Sequence, residues 1–331
     1  MTAERLFGWR HGFDHVVTLW LTLGVAALLV LAATAIVVLA RAGVIGEALR
    51  RELWRRTASW AVMVPLVVVP VLLGAAWTIA VVAAIALACY AEYARATGLF
   101  RERLMSATVV LGILAITVAV LDHWYGFFVA LVPLSVGVIA AASIPLDRPE
   151  GYIQRVGLAV LAFLLFGSGL GHLGYMANDW NYRPIVLMLF AAVGISDVAA
   201  FTFGKSIGGS KLLPLTSPNK TVAGSIGALV VTTLFVVVIA RVVFAGTGLT
   251  GVAHLVGLGL VVAIAAQLGD LMVSSIKRDL GVKDTGALIP GHGGVLDRAN
   301  SLLLVAPAVF HYVGYFAGFG LDQPTRIITG R

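Results

Sequence analysis

Long apolar runs dominate the chain, and short polar stretches separate them. The runs fall at 16–40, 60–77, 78–94, 104–121, 127–145, 156–176, 185–203, 222–244, 252–273 and 302–319. An α-helix needs about 20 residues to cross the hydrocarbon core of a bilayer. The pattern therefore predicts an all-α, polytopic integral membrane protein of about ten transmembrane helices. It places a tight turn between the second and third helices, near 77–78.

Composition strengthens this picture. Of 331 residues, 60% are hydrophobic and 12% charged, with a mean hydropathy of +0.99. Soluble domains carry about 25% charged residues, so a soluble core could not absorb this much apolar surface. The polar start before the first run has no clear cleavage site, and the run is too long for a signal-peptide core, so it is read as a membrane helix. The single cysteine, Cys89, excludes an intrachain disulfide framework.

Charge sets the expected orientation. Arg41, Arg50, Arg51, Arg55 and Arg56 lie between the first and second runs, Arg95, Arg101 and Arg103 between the third and fourth, and Arg148 and Arg155 between the fifth and sixth. Lys205, Lys211 and Lys220 follow the seventh run, and Lys277 and Lys283 follow the ninth. These are alternate loops on one side, and the positive-inside rule makes that side cytoplasmic, with both termini outward. The net charge of +7 then reads as orientation and anionic headgroups, not as nucleic-acid binding. The expected division is 1–56, an extra N-terminal helix with a basic cytoplasmic loop, and 57–331, one membrane-embedded domain.

The chemistry concentrates in residues 267–301, QLGDLMVSSIKRDLGVKDTGALIPGHGGVLDRANS. Asp270, Ser274 and Lys277 share a helical face, and a carboxylate at such a depth is costly unless paired or bound to a cation. A salt bridge from Asp270 to Arg278 or to a neighbouring helix is the simpler alternative. Asp297 follows the GHGG turn, with Asn300 and Ser301 just beyond it. Gly293 and Gly294 would let backbone approach a ligand closely, or simply form a re-entrant turn capped by the aspartate. His292 reads as a base, a ligand or a structural hydrogen-bond partner. Asp197 lies inside an apolar run, a functional position by default. Residues 217–221, SPNKT, are expected to open the eighth helix, where Lys220 and the amides could hold phosphate oxygens. Lys205 and Lys211 serve either topology or substrate. Glu92 is expected to pair locally with Arg95, while Asp122, His123, Asp179 and Arg183 look like solvated loop ends on the far side. HExxH, GxSxG and CxxC patterns are missing from the sequence, which argues against zinc proteolysis, serine hydrolysis and dithiol redox.

Taken as one string, Ser274-x-Ile276-Lys277-Arg278, Lys283-Asp284-x-Gly286 and Ile289-Pro290-x-His292-Gly293-Gly294-Val295-x-Asp297-Arg298 resemble the signature of the CDP-diacylglycerol synthases, the phosphatidate cytidylyltransferases. Asp197 with Gly204-Lys205, Lys211, Pro214, Ser217-Pro218-x-Lys220-Thr221 and Gly224-Ser225-x-Gly227 match upstream pieces. The resemblance is close over about 193–307, looser across the earlier helices, and leaves out the first fifty residues. It implies CMP transfer from CTP to phosphatidate with Mg2+, and an all-helical, usually dimeric membrane fold. It implies a metal centre on Asp270 and Asp297, with room for a monovalent cation such as K+ to share it. Lys220, Lys277, Arg278, Lys283, His292 and Arg298 become catalytic candidates. Asp197, Lys211, Ser217, Lys220, Thr221, Gly293, Gly294 and Asn300 become substrate-binding candidates. The lipid would enter from the bilayer and CTP from the cytoplasm, at an inner membrane.

One position departs from the resemblance. The family pattern ends on a second aspartate, and here Asn300 stands in its place. A retuned enzyme, a paralogue for a dedicated lipid branch, and a silent lipid-binding relative all remain open. So does a transporter, with Asp197, Asp270 and Glu92 forming a cation path, although the polar residues gather at one membrane face and not at the midplane.

Overall fold

The structure is a computed structural model that describes residues 2–319 and 326–330. A short helix α1 (Thr2–Phe7) precedes two peripheral helices, α2 (Val16–Arg41) and α3 (Glu47–Leu73). Then come α4 (Ala75–Thr97), α5 (Arg103–Leu121), α6 (Tyr125–Ala142), α7 (Tyr152–Met176) and α8 (Tyr182–Ser206). A hairpin of β1 (Lys211–Leu213) and β2 (Ser217–Thr221) leads into α9 (Val222–Val243) and α10 (Val252–Asp279). A one-turn helix α11 (Val295–Ala299) runs almost directly into α12 (Leu302–Phe316). Among the described residues ten spans are long and apolar enough to cross a membrane, α11 and α12 counting as one. The protein is thus an all-α polytopic membrane protein, with one small hairpin outside the spans.

Small residues allow the helices that carry the site to pack closely. A Cβ on Gly224 of α9 would stand 2.5 Å from the Ala200 carbonyl oxygen of α8, and one on Gly227 would overlap the Phe203 ring. A Cβ on Gly259 of α10 would stand 2.9 Å from the Thr233 backbone of α9. Ser225 and Gln267 then bond side chain to side chain across α9 and α10. Within α7, Phe163–Gly169 wind as a π-helix, a form that often accompanies functional sites. By contrast α2 buries only Val17, Thr18 and Ile36, so its apolar surface is left for lipid.

The structure departs from the sequence reading at several places. Arg50, Arg51, Arg55 and Arg56 belong to the first turns of α3 and not to a loop. Helix α3 therefore runs unbroken across residue 56, and its charged start extends beyond the apolar run. The turn after it is at Gly74, whose φ of 141° suits glycine alone, several residues before 77–78. Residues 217–221 form a strand, and Thr221 is the cap of α9, its hydroxyl accepting the Gly224 N–H at 3.1 Å. On the far side Asp122, His123 and Arg183 are buried. There Arg183 donates to the Gly8 carbonyl, and Asp122 accepts the Ile328 and Thr329 amides, so the terminal segments cover these side chains.

Candidate active site

The site forms where α10 leaves the apolar layer. Asp270 and Lys277 lie about two turns apart on this helix, and each faces a different partner. Asp270 pairs with Lys220, which β2 delivers just before the cap of α9. The same carboxylate accepts a 2.5 Å hydrogen bond from Asn300 Nδ2. Asp197, on α8, lies within electrostatic reach of Asp270, Lys220 and Arg298. The Asp270–Arg278 bridge considered from sequence does not form. Arg278 is exposed and donates to the carbonyls of Thr216 and Val282, tying the hairpin to the end of α10.

The second centre is Asp297, in the first turn of α11. Its Oδ1 accepts from Lys277 Nζ at 2.7 Å. Its Oδ2 accepts the Thr285 amide at 3.0 Å, the Thr285 hydroxyl at 3.1 Å and the Gly294 amide at 3.0 Å. The last of these is the return half of a capping box. Gly293 adopts φ of 81°, and a Cβ there would meet Asp297 Oδ2 at 2.8 Å. The glycines of the turn therefore serve the aspartate directly.

A third carboxylate, read from sequence as a local partner of Arg95, belongs to this site. Glu92, buried in α4, accepts the amides of Val295 and Leu296 at 2.9 Å each, and the Thr285 hydroxyl at 3.4 Å. Its partners are about 200 residues away in the chain, so local spacing carries no trace of them. Helix α3 also reaches the site. Ser59 donates to the Pro290 carbonyl at 2.7 Å, Trp60 packs edge-on against His292, and a Cβ on Gly291 would stand 3.3 Å from Arg55 Nε. Partial burial holds the His292 imidazole below the usual histidine range; the hydrogen bond with the Pro290 carbonyl opposes this, and the charges of Arg298, Arg56 and Arg55 add to it.

The structure thus joins Lys220, Asp270 and Asn300 into one group, with Asp197 and Arg298 within electrostatic reach, and Lys277, Gly293, Gly294 and Asp297 into another. The turn from Asp297 to Asn300 links them. Lys211 and Lys283 are exposed and make no side-chain hydrogen bond among the described residues, and Ser217 lies on β2 beside the hairpin turn. Asn300 differs from a simple oxygen ligand. Its amide nitrogen faces Asp270, and its oxygen accepts the Ser301 amide at 2.8 Å.

A model of the cytidylyltransferase family matches residues 54–316. The chain belongs to that family. It is 33% identical over 208 residues to the phosphatidate cytidylyltransferase of Staphylococcus haemolyticus (strain JCSC1435), covering 62% of this chain and 78% of that protein. It is 33% identical over 199 residues to the uncharacterized protein YnbB of Escherichia coli (strain K12), covering 58% and 65%. Over 132 residues it is 42% identical to the phosphatidate cytidylyltransferase of Brucella suis biovar 1 (strain 1330), covering 40% and 47%. The matches thus span from about half to about three-quarters of these relatives. The family match includes every residue of the two groups above and also Glu92, Arg55 and Trp60, and it omits α1 and α2.

The donor set tests whether Mg2+ suits this site. Among the described residues no three His, Cys, Asp or Glu side chains converge on one point. Mg2+ is commonly held by one or two carboxylates, with waters and substrate phosphates completing the shell. Asp270 and Asp297 are carboxylates of this site, each facing a lysine.

Proposed function

We propose that the protein transfers CMP from CTP to phosphatidate, giving CDP-diacylglycerol and pyrophosphate. The observation that carries this reading is the pairing of Asp270 with Lys220 and of Asp297 with Lys277 at one end of the membrane helices. Carboxylates able to share a dication lie against lysines able to take phosphate charge, within a chain of the cytidylyltransferase family. Two of the relatives above are named for phosphatidate as the acceptor.

In this reading Asp270 and Asp297 would hold Mg2+, which supplies charge neutralisation to the phosphate oxygens. A monovalent cation such as K+ would share the acidic site. Lys220 and Lys277 neutralise the charge that develops as the phosphatidate phosphate attacks the α-phosphorus in line and pyrophosphate leaves. Arg298, exposed beside this group, offers a further cation to the leaving phosphates. Lys283, Lys211 and Arg278 act from the rim, as an electropositive approach for the nucleotide. Asp197, Ser217, Thr221, Gly293 and Gly294 contribute to the substrate pocket. The site faces the cytoplasm at the inner membrane, the lipid enters between helices, and the protein works as a homodimer.

The position of the label tests the reaction. Purified protein with phosphatidate and Mg2+ should move label from α-phosphate-labelled CTP into chloroform-extractable lipid, and none from γ-phosphate-labelled CTP. Label in lipid from the γ-phosphate, or from neither nucleotide, would remove the assignment.

A further inference from the structure

We infer that Glu92 is a positioning residue that clamps the turn 285–297 and thereby fixes Asp297; the inference rests on the proposed reaction for its catalytic consequence. Four features of the structure converge on this side chain. It arrives from α4, a helix remote in sequence from the turn, and is only 5% exposed. Its two oxygens accept the first two amides of α11, Val295 and Leu296, groups that have no partner within that helix. Thr285 bridges it to Asp297, one hydroxyl lying 3.4 Å from Glu92 and 3.1 Å from Asp297. Two glycines are shaped around it.

The glycines are the most discriminating feature. Gly294 has φ of −91° and ψ of 173°, a conformation open to any residue. Its backbone therefore does not demand glycine, but a Cβ there would overlap Glu92 Oε2. A Cβ on Gly286 would stand 2.6 Å from Glu92 Oε1. Gly286 and Gly294 are thus left bare on the side where the carboxylate of Glu92 enters. Ionised, Glu92 is acceptor-only and suits two converging N–H groups. A glutamine would turn an NH2 toward one of them. Helix α11 is only one turn long, and Asp297 sits in that turn. A displacement of about 1 Å at such a group is enough to cost roughly 100-fold in rate.

The test uses the full chain in detergent, with Glu92→Gln, Glu92→Ala, Gly294→Ala and the Gly294→Ala/Glu92→Ala double variant. Hydrogen exchange of residues 293–299 should accelerate at least about tenfold in Glu92→Gln, while exchange in α9 stays as in wild type, consistent with loss of a charge-assisted hydrogen bond. The kcat for CMP transfer should fall roughly 100-fold and the Mg2+ concentration for half-maximal rate should rise, with KM for CTP changed far less. Gly294→Ala alone should be strongly impaired, yet add little on top of Glu92→Ala, because the atoms with which the new methyl collides are gone. Wild-type exchange in Glu92→Gln, accelerated exchange with wild-type kcat, or full additivity of the two alanine variants would overturn the inference. A wild type that transfers no CMP, with the exchange change intact, removes the assigned reaction and retains the clamp.

Discussion

Asp270 and Asp297 each face a lysine, but they differ in what else holds them. Asp270 and Lys220 remain partly open, their side chains 21% and 27% exposed, whereas Asp297 and Lys277 are 3% and 13% exposed. Breaking a buried pair by removing one charge costs about 3–5 kcal/mol, and an exposed pair costs about 1 kcal/mol or less. Asp270→Asn and Asp297→Asn should both abolish CMP transfer, but only Asp297→Asn should also lower the melting temperature substantially. Near-wild-type turnover in either variant, or equal thermal stability of the two, would break the assignment. His292 gives a second residue-scale expectation. Its folded-state proton affinity is held below the ordinary histidine value by burial and by the three arginines. The unfolded chain therefore takes up the proton first as pH falls, and the contribution of the neutral imidazole to stability is complete above the ordinary value and lost below it. Wild type should lose stability from pH 7 to pH 5 more steeply than His292→Gln, and parallel thermal-melt profiles would contradict this.

Element by element, each lysine takes its role from the structure that carries it. Lys220 stands on β2, one residue before the cap of α9, and is aimed at Asp270. Lys205 ends α8, is exposed, and sits over the Phe201 ring, 5.8 Å from its centroid. Lys220→Ala should cost on the order of 10²–10³ in rate, and Lys205→Ala should cost little. Equal losses would sink the distinction. The elements also show what the sequence could and could not reveal. The spans were legible because a bilayer demands long apolar runs. The hairpin was not, because β1 and β2 are only three and five residues long and, among the described residues, pair only with each other. The helical start at Glu47 was hidden by its arginines, which read as a loop although nothing in them breaks a helix. The role of Glu92 was unreadable because its partners follow from the docking of α4 on α11. Asn300 stood out only against the family signature, and which of its amide atoms faces Asp270 is a matter of tertiary placement.

At the scale of the whole molecule, the proposed reaction needs the start of α3, the hairpin and the signature turn to share one aqueous side. Ser59 bonding to Pro290 joins α3 to the signature turn, and Arg278 bonding to Thr216 ties the hairpin to the end of α10, from which that turn continues. Lys283→Cys, with buried Cys89 replaced, should resist an impermeant external reagent in intact cells and react after permeabilisation. External labelling would invert the orientation. We expect this set of side chains to perform CMP transfer with Asn300 beside Asp270. The decisive measurement is CMP transfer to phosphatidate across a Mg2+ titration, comparing wild type with Asn300→Asp. An aspartate would replace the amide donor beside Asp270 with a second negative charge, which favours a dication. Transfer by wild type should depend on Mg2+, with a lower half-maximal Mg2+ concentration for Asn300→Asp. No transfer by wild type at any Mg2+ concentration, with transfer restored in Asn300→Asp, would contradict it and mark the natural chain as catalytically silent.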